Sequence, residues 1–145
     1  LSIRRQRQMC IRDSFYTELN LPTFMTTQEV ANRLVELVAQ GKYDEAQNEL
    51  YHPDAISQEP EGAQGVGNAY GLLAIKEKGK GWDEMVEAYH GGSVDGPLVS
   101  GNWFTIVLHM DITYKGMPRM NDSEICVYCV QDGKIVSEQF FYSRG

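Results

Sequence analysis

Apolar residues recur at helical spacing from Thr27 onward, with Val30, Leu34, Leu37 and Val38 on one side. Thr26 or Thr27 can cap this helix, and Gly41 stops it. Lys42 to Tyr51 predicts a second, shorter helix carrying Tyr43, Ala46 and Leu50 on one face and ended by His52 and Pro53. In Asp54 to Glu59 the period drops to two. One face of that short strand takes Ala55, Ser57 and Glu59, the other Asp54, Ile56 and Gln58, and the pattern leaves open which face looks inward. A glycine-rich loop follows from Gly62 to Gly71. Leu72 to His90 predicts a third helical stretch, broken or divided at Gly79 and Gly81, with Trp82, Met85, Val86 and Tyr89 forming a stripe on its second piece.

Beyond Gly91 and Gly92 the character changes to strands. Val94 to Val99 leads into Asn102 to Tyr114, Lys115 and Gly116 turn the chain, and Ser123 to Val130 follows. Asp132 and Gly133 predict a tight hairpin, and Ile135 to Tyr142 closes the sheet. Helices first and an antiparallel meander last give an α+β layer fold. In the long strand Phe104, Ile106, Leu108, Met110 and Ile112 form an unbroken apolar face that must meet the helices. Trp103, Thr105, Val107, His109, Asp111 and Thr113 form a mixed face, suited to solvent or a subunit contact. The two later strands carry large apolar groups on both faces, which predicts that a second subunit covers the side the helices do not.

At 145 residues and 42% hydrophobic, the chain suits one domain with a real core. The formal charge of −7 disfavours nucleic acid or an anionic membrane surface as partner, and no apolar run reaches membrane-span length. A small neutral molecule and a second copy of the chain are the expected partners. Three cysteines without disulfide-framework spacing make the cytoplasm the expected compartment. Cys126 and Cys129 spell C-x-x-C inside an apolar strand, where an offset of three sends side chains to opposite faces, so redox and zinc readings are poor. His52, His90 and His109 lack metal-ligand spacing; no metal and no cofactor is expected.

Residues 1–14 show neither helical nor strand period and carry four arginines, without the apolar centre of a secretory signal. The portion R-Q-M-C-I-R-D-S resembles the translation of a sequencing adapter. Residues 1–24 are therefore expected to be a non-native or disordered extension, with a basic tail or a mitochondrial-type presequence as alternatives, and 25–145 to be the domain. Arg4, Arg5, Arg7 and Arg12 outweigh Asp13 and Glu18, so the domain itself carries about −9.

Glu59 is the first candidate for chemistry. It stands at the end of D-A-I-S-Q-E before a Pro-Glu-Gly turn, and Pro60 biases it towards extended geometry. A lone Glu beside a turn is more often a solvated surface group, so its weight comes from the rest of the chain.

The order helix, helix, short strand, helix, then a curved antiparallel sheet ending in D-G-K-I-V-S-E-Q-F-F-Y is similar to the nuclear transport factor 2-like superfamily. With V-E-L-V-A-Q-G and D-A-I-S-Q-E-P-E-G, the chain most resembles the SnoaL-like polyketide-cyclase group and its ketosteroid isomerase relatives, over about Thr26 to Tyr142. The resemblance implies a cone: three helices against a curved, mainly antiparallel sheet around an apolar pocket, commonly dimeric through the outer sheet face. It places Glu59 at the isomerases' proton-shuttling aspartate, but Leu34 and Cys126 where their two oxyanion donors stand. Loss of both donors argues against ordinary ketosteroid isomerisation. The long strand has no Arg for the Asp-Arg-Asp set of related epoxide hydrolases.

By the same resemblance Tyr51, Trp82, Met110, Ile112, Tyr114, Phe140 and Tyr142 would line the pocket beside Tyr128, with Glu124 and Glu138 pointing inward; the bland reading of these acids is a sheet rim facing water or an Arg. Several acids in one apolar cavity cannot all stay ionised, so one should titrate high and serve as acid or donor. The expected function is a cofactor-free isomerase, cyclase or lyase in which Glu59 takes a proton, Glu138 or Glu124 returns one, and Tyr128 orients a small apolar carbonyl or polyketide-like compound. The alternatives are a non-catalytic binding module or a dimeric interaction module of the same fold.

Overall fold

The computed structural model describes residues 23–143. Three helices, α1 (Thr27–Ala39), α2 (Tyr43–Leu50) and α3 (Leu72–Met85), pack on six strands. The strands are β1 (Tyr51–Gln58), β2 (Ala69–Tyr70), β3 (Val86–Ser100), β4 (Trp103–Tyr114), β5 (Met120–Gln131) and β6 (Lys134–Phe141). They form one sheet in the order β2-β1-β6-β5-β4-β3, antiparallel at each pairing except β1 with β6, which run parallel. The expected α+β architecture is present. The reading of residues 1–24 as a non-native or disordered extension falls, for residues 1–22, outside the described residues.

Local chemistry explains most boundaries. Thr26 accepts from the Glu29 backbone N–H while the Glu29 carboxylate accepts from that of Thr26, a reciprocal capping box opening α1. Thr26→Ala is expected to cost about 1 kcal/mol of unfolding free energy, checked by urea denaturation. Arg33 bonds Glu49 through two nitrogens, at 2.8 and 2.9 Å, pinning α1 to α2. Asp132 (φ 48°) and Gly133 (φ 71°) both take left-handed backbone, as a two-residue hairpin of primed type requires.

Three expectations are corrected. The second helix ends at Leu50 rather than Tyr51, and Pro53 lies inside β1 instead of closing a helix. The β1–β6 register is interrupted between Tyr51 and Ile56, which accommodates a residue with no N–H to donate. The third helix runs unbroken through Gly79 and Gly81 but stops at Met85, so Val86, Tyr89 and His90 belong to β3. Two helical glycines cost about 1 kcal/mol each, and burial of Ile75 together with packing of Trp82 and Met85 offsets it. The His90 Nε2 lies 2.9 Å from Thr113 Oγ1 on the neighbouring strand.

The main core joins Val30, Leu34, Leu37, Leu50, Ile75, Phe104, Ile106, Cys126 and Ile135. The inward face of β4 is the one its alternation predicts, with Tyr114 added. Three register shifts between β3 and β4 bend the sheet round the helices. A second cluster, Met110, Ile112 and Tyr114 with Trp82, Met85, Val86 and Met120, fills the far end.

Candidate active site

β1 orients Glu59. Tyr51, Ala55 and Ser57 are buried while Ile56 and Gln58 are exposed, so the open question of its inward face resolves to the side of Ser57 and Glu59. Just beyond the strand, Ala63 N–H bonds the Pro60 carbonyl at 3.1 Å, with Gly62 at φ 80°, a tight turn of the kind that needs glycine at its third residue. The Glu59 backbone N–H donates to Asn68 Oδ1 at 2.8 Å, tying the turn to the Gly62–Gly71 loop. With 7% of its side chain exposed, Glu59 is inside the fold rather than at its surface.

Its partners come from α3 and the C-terminal segment. Lys78 Nζ forms an ion pair with Glu59 Oε1, and Tyr142 O–H donates to Glu59 Oε2 at 2.8 Å. The same ammonium donates to Ser57 Oγ at 2.8 Å and lies 4.8 Å from the centre of the Phe140 ring. Ser57 is the register partner of Glu138 across the parallel β1–β6 pair and lends its hydroxyl to that carboxyl. Tyr51 O–H donates to Glu138 Oε2 in a short contact. One polar chain thus runs Tyr142, Glu59, Lys78, Ser57, Glu138, Tyr51.

The two carboxyls of this chain live in different surroundings. Burial pushes the Glu138 carboxyl above the usual range, opposed by hydrogen bonds from Ser57 and Tyr51 and by the nearby Lys78 charge, and reinforced by the charge of Glu59. Glu59 instead has the ammonium against it. Burial, with the Glu138 charge and hydrogen bond, raises the Tyr51 phenol well above its ordinary value. Burial likewise raises Tyr128, with Cys126 and Tyr51 next in influence. The Tyr128 ring stacks on Phe104 at 4.7 Å between centres.

The sequence candidates therefore separate. Glu59, Glu138, Tyr51, Tyr142 and Phe140 come together around Lys78, with Tyr128 beside Tyr51. Glu124 shares the inner face of β5 but lies four residues from Tyr128, the register partner of Glu138, or about 13 Å along the strand. The Cys126 thiol donates to it at 3.8 Å. Trp82, Met110, Ile112 and Tyr114 pack with one another in the second cluster, Trp82 edge-on to Tyr114. The residues expected to line one apolar pocket are divided between two hydrophobic clusters.

Two open clefts border these groups, and of the polar chain only Lys78 lines one of them, while Met110 of the second cluster lines the other. One, of about 550 Å³, lies between α3 and the glycine-rich loop, and its wall includes Asn68, Ala74, Lys78 and Gly81. The other, of about 480 Å³, crosses β3, β4 and β5 at Gly92, His109, Met110 and Asp122. Among the described residues no three of His, Cys, Asp and Glu gather as metal ligands, and no helix is long and apolar enough to cross a membrane.

Sequence reasoning missed Lys78, Ser57 and Asn68 as participants. A signal existed for Lys78: it follows Ala74 and Ile75 by four and three residues and precedes Trp82 by four, a cation on the apolar side of its helix. The run K-E-K-G-K-G reads more readily as a solvated helix break.

Residues 25–142 match the family model of the SnoaL-like domain. The chain is similar to a candidate SnoaL-like polyketide cyclase from Mesorhizobium loti, at 36% identity over 81% of this chain and 100% of the other, with a TM-score of 0.75. Two more distant structures share the fold. TerC, crystallised with polyporic acid, is 14% identical over 81% of this chain and 91% of its own, with a TM-score of 0.66. The candidate polyketide cyclase IdmH from Streptomyces antibioticus is 16% identical over the same shares, with a TM-score of 0.61. No curated protein matches the chain.

Proposed function

The chain belongs to the SnoaL-like domain family, and from that premise we propose that it is an acid/base enzyme acting without a cofactor on a small, largely apolar carbonyl or polyketide-like compound. Glu59 is the base and Glu138 the acid. The observation that carries this reading is the polar chain in which one carboxylate is ion-paired to Lys78 while the other, two register positions away, is buried among hydroxyls and shifted towards its protonated form. A carboxylate set against a cation and a second carboxyl, buried so that it holds its proton more tightly, are the equipment for taking a proton at one atom and returning it at another. Tyr51 and Ser57 orient the Glu138 carboxyl, and Tyr142 does the same for Glu59. Tyr128 and Phe140 supply aromatic surface for an apolar ring. Similarity to candidate polyketide cyclases supports this substrate class.

The direct test is exchange of the α-protons of 1-tetralone, an apolar cyclic ketone, into D₂O, followed by NMR. Catalysed exchange is the expected result; its absence together with ligand-induced thermal stabilisation would favour a binding module of the same fold.

We propose in addition that the outer sheet face joins two copies of the chain. Ile125 (47% exposed) faces Val107 on one neighbouring strand and Phe141 (46% exposed) on the other, an apolar row across three strands, with Trp103 (52% exposed) further along β4. Trp103→Glu places a charge in that contact and is expected to convert a dimer into monomers by light scattering. A wild-type chain that is monomeric at micromolar concentration would overturn this assignment.

A further inference from the structure

The charge on Lys78 is balanced by Glu59 in the resting protein, and this balance changes during the proposed reaction. When Glu59 takes a proton from the carbon next to a carbonyl, the C–H electron pair moves into a new C=C bond and negative charge passes to the carbonyl oxygen. Glu59 becomes neutral at that moment. A new anion then exists on the substrate, and the ammonium that was paired with the base has lost its partner. A cation next to both groups keeps a counter-charge before and after the transfer, so its attraction to the substrate grows as the reaction proceeds.

Lys78 has the placement for this role. Its Nζ touches Glu59 and donates to Ser57 Oγ at 2.8 Å, two directed contacts for a group with three donors. Its side chain is 13% exposed, so the charge is poorly screened by water, yet the residue forms part of the wall of the 550 Å³ cleft. The neighbours on its helix face that also line the cleft are Ala74 and Gly81, four residues before and three after, and an added Cβ at Gly81 would meet nothing within 4 Å. Small residues there leave the cleft wall beside Lys78 free of bulky side chains. Glu77, also in the cleft wall, is engaged by Lys80 at 2.7 Å.

Resting on the reading of Glu59 as base, we propose that Lys78 binds the oxygen anion formed during proton transfer, and that the substrates are therefore carbonyl compounds that ionise to enolates, with phenolates as their stable mimics. The step is complete within these groups. The proton resides on Glu59, the charge on the substrate oxygen lies against Lys78, and reprotonation at another carbon restores both.

The test measures binding of 4-nitrophenol, whose absorption distinguishes phenol from phenolate, to the wild-type protein, Lys78→Met, Lys78→Arg and Glu59→Gln. Wild type is expected to bind the anion. Lys78→Met should weaken anion binding by about 30-fold and Lys78→Arg by much less, as loss of a charge-assisted hydrogen bond predicts. Glu59→Gln, which removes the competing carboxylate and leaves the ammonium, should strengthen it by about tenfold. Absence of phenolate binding to wild type, equal binding by Lys78→Met, or weaker binding by Glu59→Gln would each overturn the proposal; the last reading stands even if Lys78→Met does not fold. Tetralone exchange separates the two assignments. Exchange lost in Glu59→Gln with phenolate binding indifferent to Lys78 keeps the base and removes the anion site, whereas exchange retained in Glu59→Gln with Lys78-dependent binding does the reverse.

Discussion

Replacing Glu59 with Gln should lower α-proton exchange of 1-tetralone by about 10³-fold, the middle of the range for a positioned general base. The amide keeps the shape, its oxygen can accept from Lys78 and its NH2 can donate to the Tyr142 hydroxyl oxygen, so the loss reports proton transfer rather than collapse of the site. Affinity for the ketone should change little, because the substituted group acts on the transferred proton and not on the resting ligand. Stability should fall by about 1–2 kcal/mol, since a largely buried ammonium would face a dipole where it had a charge. Unchanged exchange, measured on protein shown to be folded by its thermal transition, would remove Glu59 from the mechanism.

The second large effect concerns Glu138 and pH. Its carboxyl is held above the ordinary value of 4.5 in the folded protein, mainly by burial. A carboxyl of that kind binds its proton more tightly when folded. Its contribution to stability is therefore complete below the unfolded value and is lost as pH rises through the elevated folded one. Glu138→Gln removes this titration while keeping an acceptor for Tyr51 and Ser57. The variant should be more stable than wild type at pH 8, by on the order of 1–3 kcal/mol, and the difference should vanish towards pH 4. Urea denaturation across that interval decides it: parallel stability curves for the two proteins would mean that Glu138 does not titrate differently in the fold. Exchange of 1-tetralone should fall in the same variant, so that stability is gained where activity is lost.

These groups were unequally legible from the residues alone. Helix α1, its Thr26 cap and the inward face of β4 follow from periodicity because one face is apolar and the other is not. The same rule is silent for β5 and β6, where Ile125 and Phe141 are as apolar as Cys126 and Phe140; the faces are settled by cross-strand register and by the helices that cover one side. The break expected at Gly79 and Gly81 is absent because glycine's helix penalty is a local quantity that packing of Trp82 and Met85 outweighs, and the helix ends earlier than its spacing suggests because Val86 and Tyr89, which continue the stripe from Trp82, belong to β3. Glu59 and Glu138 could be singled out by resemblance. The lysine between them could not, because the contact joins a helix to a strand end and nothing in the local spelling of either segment announces the other.

Tyr51 and Glu138 stand 87 residues apart in the chain, joined where the first long strand meets the last. On the ribosome, Ser57 and Glu59 can meet Lys78 once α3 has emerged, whereas Tyr51 must wait for β6 to bring Glu138 to the edge of β1. Loops of that span close slowly. A nascent chain halted anywhere before β6 would hold Glu59 without Glu138, so the pair of carboxyls is completed in one step, when that strand joins β1, rather than growing with length.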